Sequence, residues 1–296
     1  MKQTVFTGAA TAIITPMCAE GVDYEALGRL IDFQLEKGIQ GIVAAGTTGE
    51  GSTLTDAEFE ALITFCVRRV AGRVPLIAGS GSNNTAHAIE RTRTACAAGA
   101  DAVLLVTPYY NKTTQRGLVA HFSAIAEEST VPCILYNVPG RTGLNMLPET
   151  LAELSGHPRI AAVKEACGNI SQVARTLALC GDALDVYSGC DDQIVPTLSL
   201  GGRGIISVIA NILPAETQEI CGRFFAGDVA GAAALQLKLL PLMNQLMIET
   251  NPIPAKAACA AAGWCEERLR LPLVPMGEAN REKLFALMRE AGLRLA

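Results

Sequence analysis

The chain has 296 residues, half of them hydrophobic and 18% charged, with a net charge of −5 and a pI near 5.4. That length and apolar share supply a large core, enough for one big domain or two small ones. The acidic balance and the lack of a basic run exclude a nucleic-acid footprint or an anionic-lipid surface, and no stretch reaches the ~18 consecutive apolar residues of a membrane span.

Lys2 precedes a run that faintly resembles a leader, but threonine, glycine and proline interrupt it. A first strand over Ala9–Ile14 is the better reading. Further apolar, β-rich runs follow at Gly41–Ala45, Val74–Ala78, Ala102–Val106, Cys133–Tyr136, Ile160–Lys164, Leu184–Tyr187 and Gly204–Ser207. Their spacing is that of a βα repeat. Between them lie amphipathic helices. Thr55-x-x-Glu58 reads as a capping box, after which Phe59, Leu62, Ile63, Cys66 and Val70 fall on one helical face. Pro148 and Pro214 sit where first-turn prolines belong. Eight strands alternating with helices imply a parallel sheet, and this many in one stretch favour an α/β fold closed as a (β/α)8 TIM barrel. Beyond Asp228 the pattern is helical, over Ala230–Met247, Ala255–Ala262 and Glu278–Gly292, with Asn251-Pro-Ile-Pro254 as a rigid break. The expected organisation is a barrel over residues 1–227 and a C-terminal helical extension over residues 228–296 packed on it.

The ten cysteines are scattered singly, mostly in apolar periodic stretches such as those of Cys66, Cys133 and Cys221. A chain this long needs no disulfide staples, so they read as reduced, buried side chains of a cytoplasmic protein. His87, His121 and His157 lie far apart, and no Cys/His cluster has metal-ligand spacing; neither a metal nor a cofactor is expected.

Chemistry concentrates where strands end, which in a barrel is the active-site face. Lys164 is a lone ammonium closing an apolar strand. Burial disfavours its charge, and a neutral lysine forms Schiff bases with carbonyl compounds. Ile160, Ala162 and Lys164 share one strand face; if it points inward, Lys164 tops the interior and small Ala162 leaves space below it. Gly46-Thr-Thr-Gly-Glu50 follows the second strand and offers backbone N–H groups and hydroxyls to a carboxylate. Tyr136 supplies a phenol for proton transfer, and Arg141 a guanidinium for a second carboxylate. Each feature has a plainer reading: a tight turn, a padded strand end, a loop cation. Gly79-Ser-Gly-Ser-Asn-Asn84 lacks the sixth glycine and the acidic partner of a dinucleotide site, and Gly201-Gly-Arg-Gly204 reads as a turn. The plain readings do not explain reactive groups at three strand ends together.

Those segments, with Val106-Thr-Pro-Tyr-Tyr-Asn111, Val163-Lys-Glu-Ala166 and Asn251-Pro-Ile-Pro-Ala-Lys256, resemble the pyruvate-dependent Schiff-base (class I) aldolases, the N-acetylneuraminate lyase family of (β/α)8 barrels, over essentially the whole chain. Sialic-acid-cleaving members usually have Ser at the x of Gly-x-Thr-Gly-Glu and lack the Arg-Thr-Gly after Tyr-Asn-x-Pro. Arg141 therefore points to the branch that condenses pyruvate with L-aspartate 4-semialdehyde on the route to diaminopimelate and lysine. The resemblance implies that Lys164 forms the imine and that Tyr136, Thr47 and Tyr110 relay protons, with Tyr110 reaching into a neighbouring subunit. It implies that Thr48 holds the pyruvate carboxylate and Arg141 that of the semialdehyde, while Gly189 and Ile206 line the pocket. It also implies a homo-oligomer, a tetramer built as a dimer of dimers.

Lysine-inhibited members bind their effector in a cleft near Asn83 and Tyr109, both present here. They carry a histidine where this chain has Phe59 and a glutamate where it has His87, so weak feedback is expected. Two other functions are compatible with the same residues: another lyase of this family acting on keto-sugar acids or N-acetylneuraminate, and a barrel that only binds keto acids.

Overall fold

The computed structural model describes residues 4–296, so Lys2 lies outside the described part. Chain order begins with β1 (Gly8–Ala12), the hairpin β2 (Met17–Cys18) and β3 (Gly21–Val22), α1 (Tyr24–Glu36), β4 (Gly41–Ala44), α2 (Asp56–Val70), β5 (Leu76–Gly79), α3 (Thr85–Ala98) and β6 (Ala102–Val106). It continues through α4 (Gln115–Glu127), β7 (Cys133–Asn137), α5 (Pro139–Thr142), α6 (Pro148–Leu154), β8 (Ile160–Glu165), α7 (Ile170–Cys180), β9 (Asp185–Ser188), α8 (Ile194–Ser199), β10 (Gly204–Ser207) and α9 (Pro214–Phe225). Helices α10 (Val229–Gln245), α11 (Ile253–Ala261) and α12 (Glu278–Glu290) follow.

The strands other than the hairpin close into a parallel barrel in the order β1-β10-β9-β8-β7-β6-β5-β4. It is a TIM barrel, with helices between the strands and helices after the last one. Two apolar clusters result from strands buried on both faces. One lies between sheet and helices; the other fills the interior with residues such as Val43, Ile77, Ile134, Ala162, Tyr187 and Ile206. Below the interior, Phe6 stacks on Tyr187 with ring centroids 4.2 Å apart, and the Tyr187 hydroxyl donates to Phe6 O at 2.7 Å. The seam between β1 and β10 needs glycine: a Cβ on Gly204 would stand 1.8 Å from Gly8 O. The Gly201–Gly204 run is thus a turn entering β10.

Local signals hold where they rest on capping and periodicity. Thr55 Oγ1 accepts Glu58 N while Glu58 returns a bond to Thr55 N, and the buried face of α2 is Phe59, Leu62, Ile63, Cys66 and Val70. Such a cap contributes about 1 kcal/mol. Pro148 and Pro214 open α6 and α9. Boundaries move for identifiable reasons. The third barrel strand starts at Leu76 and not Val74, because Pro75 has no N–H for the ladder. β1 ends at Ala12 and not Ile14: Ile13 N still reaches Val43 O at 3.0 Å, but Ile14 N turns to the Asn211 side chain. β7 and β8 each gain a residue, because the backbone ladder runs on through Ala166 N to Asn137 O at 2.8 Å and Gly189 N to Glu165 O at 2.7 Å; Asn137 Nδ2 also bonds both Glu165 oxygens at 3.0 and 3.1 Å across the strand pair. The β2–β3 hairpin is absent from the sequence reading.

Candidate active site

β7 and β8 pair in register with Tyr136 beside Lys164. Strand alternation turns both inward, above Ala162. Lys164 is 5% exposed, and its Nζ stands 4.5 Å from the centre of the Tyr136 ring. Burial pulls its ammonium down from 10.5 to about 8; Asp191 and Cys190 oppose the fall, and Arg141 adds to it. Burial likewise pushes the Tyr136 phenol up to about 12, against the charge of Arg141 and a hydrogen bond with Thr47. A lysine made easier to deprotonate thus faces a phenol that keeps its proton.

The end of β9 shapes the space around the lysine. A Cβ on Gly189 would come within 3.0 Å of Lys164 Cε and 2.7 Å of Ala166 Cβ, so the glycine leaves room for the lysine stem. Two residues on, Asp191 is buried. Its Oδ2 accepts Val208 N at 3.1 Å and Ile209 N at 3.0 Å, while Oδ1 has no hydrogen-bond partner. Burial raises its carboxyl, and among neighbouring charges it acts most strongly on Lys164. Ile206 is wholly buried in the barrel interior.

A cavity of about 630 Å³ opens above these groups, walled in part by Thr47, Tyr136, Val138, Arg141 and Asn251. Thr48 is buried beside it and accepts a bond from Asn251 Nδ2 at 2.9 Å. Arg141 Nη2 donates to Asn251 O at 3.1 Å. The loop carrying Thr47 and Thr48 is fixed at its end by Glu50, which ion-pairs with Lys256 at 2.7 Å. Both partners are buried, and Lys256 also donates to Thr15 O at 2.6 Å and Arg268 O at 3.1 Å.

The structure therefore brings Tyr136, Thr47 and Arg141 together on the wall of one space, with Lys164 packed against Tyr136 and Thr48 bonded to Asn251, though neither Lys164 nor Thr48 is itself on that wall. Gly189 and Ile206 stand below it, against the lysine and inside the barrel, and not on the cavity wall. Tyr110 is not brought in: it is 92% exposed, with φ +67. Tyr109 and His87 line an outer part of the same cavity. Asn83 Nδ2 reaches Tyr109 O at 3.2 Å. His87 Nε2 contacts Asp56 Oδ1 at 2.9 Å, Arg91 Nε donates to the same oxygen at 3.1 Å, and Phe59 is completely buried under Arg91.

Residues 5–291 match the model of the dihydrodipicolinate synthetase family. The 4-hydroxy-tetrahydrodipicolinate synthase of Caldicellulosiruptor saccharolyticus is 54% identical over 292 residues, covering 98% of this chain and 99% of the relative. That of Thermoanaerobacter sp. strain X514 is 52% identical over 290 residues and 98% of each chain. Among solved structures, the chloride-inhibited dihydrodipicolinate synthase from Acinetobacter baumannii complexed with pyruvate superposes with a TM-score of 0.96, at 43% identity over 98% of this chain and 100% of that one. The chain belongs to the dihydrodipicolinate synthetase family.

Within this family's barrel, four participants escape a reading by sequence. Asp191 sits on a short turn after β9, and nothing in Cys190-Asp-Asp192 distinguishes it from a solvated acid. Glu50 and Lys256 lie in the Gly46–Glu50 and Asn251–Lys256 segments, and neither segment reveals their pairing. Asn251 was read as part of a break between helices, yet it touches both Thr48 and Arg141. An asparagine before proline at the edge of a helical extension was the available signal.

Proposed function

We infer that this chain, an enzyme of the lyase class, condenses pyruvate with L-aspartate 4-semialdehyde through a Schiff base on Lys164, the reaction of a 4-hydroxy-tetrahydrodipicolinate synthase. Neutral Lys164 attacks the pyruvate ketone, and the carbinolamine loses water to give an imine. Loss of a methyl proton yields an enamine, whose carbon attacks the semialdehyde's aldehyde. The substrate's amino group then attacks the imine carbon, closing the ring and releasing Lys164. Tyr136 carries protons between these steps, in contact with Thr47. Thr48 and nearby backbone N–H groups hold the pyruvate carboxylate, and Arg141 holds that of the semialdehyde. Gly189 and Ile206 give the lysine and its adduct their space.

The single observation that carries this reading is the buried Lys164 ammonium, lowered to about 8, against the Tyr136 ring below a cavity walled by Thr47 and Arg141. Tyr110 completes the relay from a neighbouring subunit of a homotetramer; its exposure, next in sequence to the cavity-lining Tyr109, supports that role. The products serve lysine and diaminopimelate synthesis in the cytoplasm. No helix among the described residues is long and apolar enough to cross a membrane, and no two of the ten cysteines form a disulfide. The cleft at Asn83, Tyr109 and His87 binds lysine weakly, since His87 adds no negative charge and already contacts Asp56. Strong inhibition by sub-millimolar lysine would refute that last point.

Borohydride reduction in the presence of pyruvate should add a pyruvate-sized mass to the peptide containing Lys164; an unmodified lysine overturns the mechanism. In a coupled assay the pair pyruvate and aspartate semialdehyde should turn over and N-acetylneuraminate should not. Cleavage of N-acetylneuraminate would reassign the substrate.

A further inference from the structure

Besides its backbone N–H, Asn251 presents three polar groups, and two are already used. Nδ2 donates to Thr48 Oγ1, and the backbone oxygen accepts from Arg141. The third, Oδ1, has no hydrogen-bond partner although the residue is only 6% exposed and stands on the cavity wall. A buried carbonyl left without a donor destabilises the fold, because its lost hydration is not replaced. Such a group is explained when a ligand supplies the missing donor.

The choice of ligand group follows from chemistry. Pyruvate carries no N–H or O–H donor at neutral pH, and its carboxylate would repel a carbonyl oxygen. The semialdehyde carries an amino group on the same carbon as the carboxylate assigned to Arg141. Arg141 and Asn251 are in direct contact, so a carboxylate held by one places its neighbouring amine beside the other. The bond from Asn251 Nδ2 has a second effect: it occupies a lone pair of Thr48 Oγ1 and leaves the Thr48 O–H free to donate to pyruvate.

We propose that Asn251 is a specificity-determining residue for the second substrate, its side-chain carbonyl receiving the α-amino group while its amide nitrogen orients the Thr48 hydroxyl. This rests on the condensation proposed above.

The test compares aspartate semialdehyde with succinate semialdehyde, which keeps the aldehyde and the carboxylate and lacks the amine. In Asn251→Ala, kcat/KM for aspartate semialdehyde should fall roughly ten- to a hundredfold, while the inhibition constant of succinate semialdehyde stays as in the parent. A residue that merely supported Arg141 would weaken both compounds alike, because both present the carboxylate; that result overturns the proposal. Asn251→Asp keeps the acceptor and loses the donor. It should retain the preference for the amine while the KM for pyruvate rises, and loss of the preference in this variant also overturns the proposal. In the unsubstituted protein the amine-free aldehyde should bind at least about tenfold more weakly than the substrate, and equal binding is refutation whatever the variants do. Borohydride trapping in the same preparations separates the two levels. If Lys164 is not trapped with pyruvate, the condensation itself falls. If it is trapped and Asn251→Ala keeps its discrimination, only the role of Asn251 falls.

Discussion

Replacing Lys164 with methionine should end turnover and raise stability. The side chain is 5% exposed, and burial brings its ammonium from 10.5 to about 8. That fall corresponds to roughly 3 kcal/mol of preference for the neutral amine in the folded state. Below about pH 8 the folded chain carries the charge regardless and is destabilised by that amount. Between about pH 8 and 10.5 the unfolded lysine is protonated while the folded one is not. The unfolded state thus binds more protons in this window, and the stability contributed by Lys164 rises with pH across it. The Tyr136 ring, 4.5 Å from the ammonium, offsets about 0.5–2 kcal/mol of the penalty. A net gain of roughly 1–3 kcal/mol remains for an uncharged side chain of similar length at pH 7, or several degrees in Tm. Calorimetry at pH 7 and pH 10, at matched protein concentration because association shifts apparent stability, measures both the gain and its loss with rising pH. A variant less stable than its parent at pH 7, or a difference indifferent to pH, would refute the reasoning.

Two further substitutions probe the same lysine. Asp191→Asn removes the neighbouring charge that most favours the ammonium, so the rising limb of kcat/KM for pyruvate, expected near pH 8, should move toward acid; no movement, or movement toward alkali, would show that Asp191 does not act on Lys164. Gly189→Ala places a Cβ 3.0 Å from Lys164 Cε and 2.7 Å from Ala166 Cβ. The lysine must shift, and a displacement of about 1 Å costs up to ~100-fold, so pyruvate trapping should slow strongly in a folded protein; trapping at the parental rate contradicts the packing.

What was legible in the sequence follows from what each signal depends on. The barrel strands are apolar on both faces, so they appear as short unbroken runs, and the helices keep their 3.6-residue stripe. The α2 cap depends on four consecutive residues and needs no tertiary information. Lys164 was conspicuous because an ammonium interrupts an apolar run. The ends of β7 and β8 were not legible, since they are set by backbone bonds between residues distant in sequence, Ala166 N to Asn137 O and Gly189 N to Glu165 O. The β2–β3 hairpin spans only two residues on each strand, too few for an alternation to register. Asp191 and Asn251 are ordinary polar residues in polar stretches. Their meaning comes from an unpartnered oxygen on each, which exists only once neighbours from elsewhere in the chain have enclosed them.

The same exchange at Lys256, the other deeply buried lysine among the described residues, should have the opposite sign, and the comparison isolates what a buried charge needs. Lys256 is 0% exposed, drier than Lys164. It has a full set of partners: Glu50 Oε1 at 2.7 Å and the carbonyls of Thr15 and Arg268. Glu50 in turn accepts Arg270 N at 3.0 Å and holds a left-handed backbone at φ +53, at the end of the loop that presents Thr47 and Thr48. Lys256→Met leaves the Glu50 carboxylate buried without its cation, a change that costs about 3–5 kcal/mol. Lys164 has, among the described residues, no ion pair but an aromatic face and the fields of Asp191 and Cys190. Burial alone would predict that both exchanges stabilise, and charge alone that both destabilise. Only the partners predict that Lys164→Met gains and Lys256→Met loses. Denaturant titration of the two variants beside their parent at pH 7 decides it: changes of the same sign would mean that enclosure, and not pairing, governs lysines in this barrel.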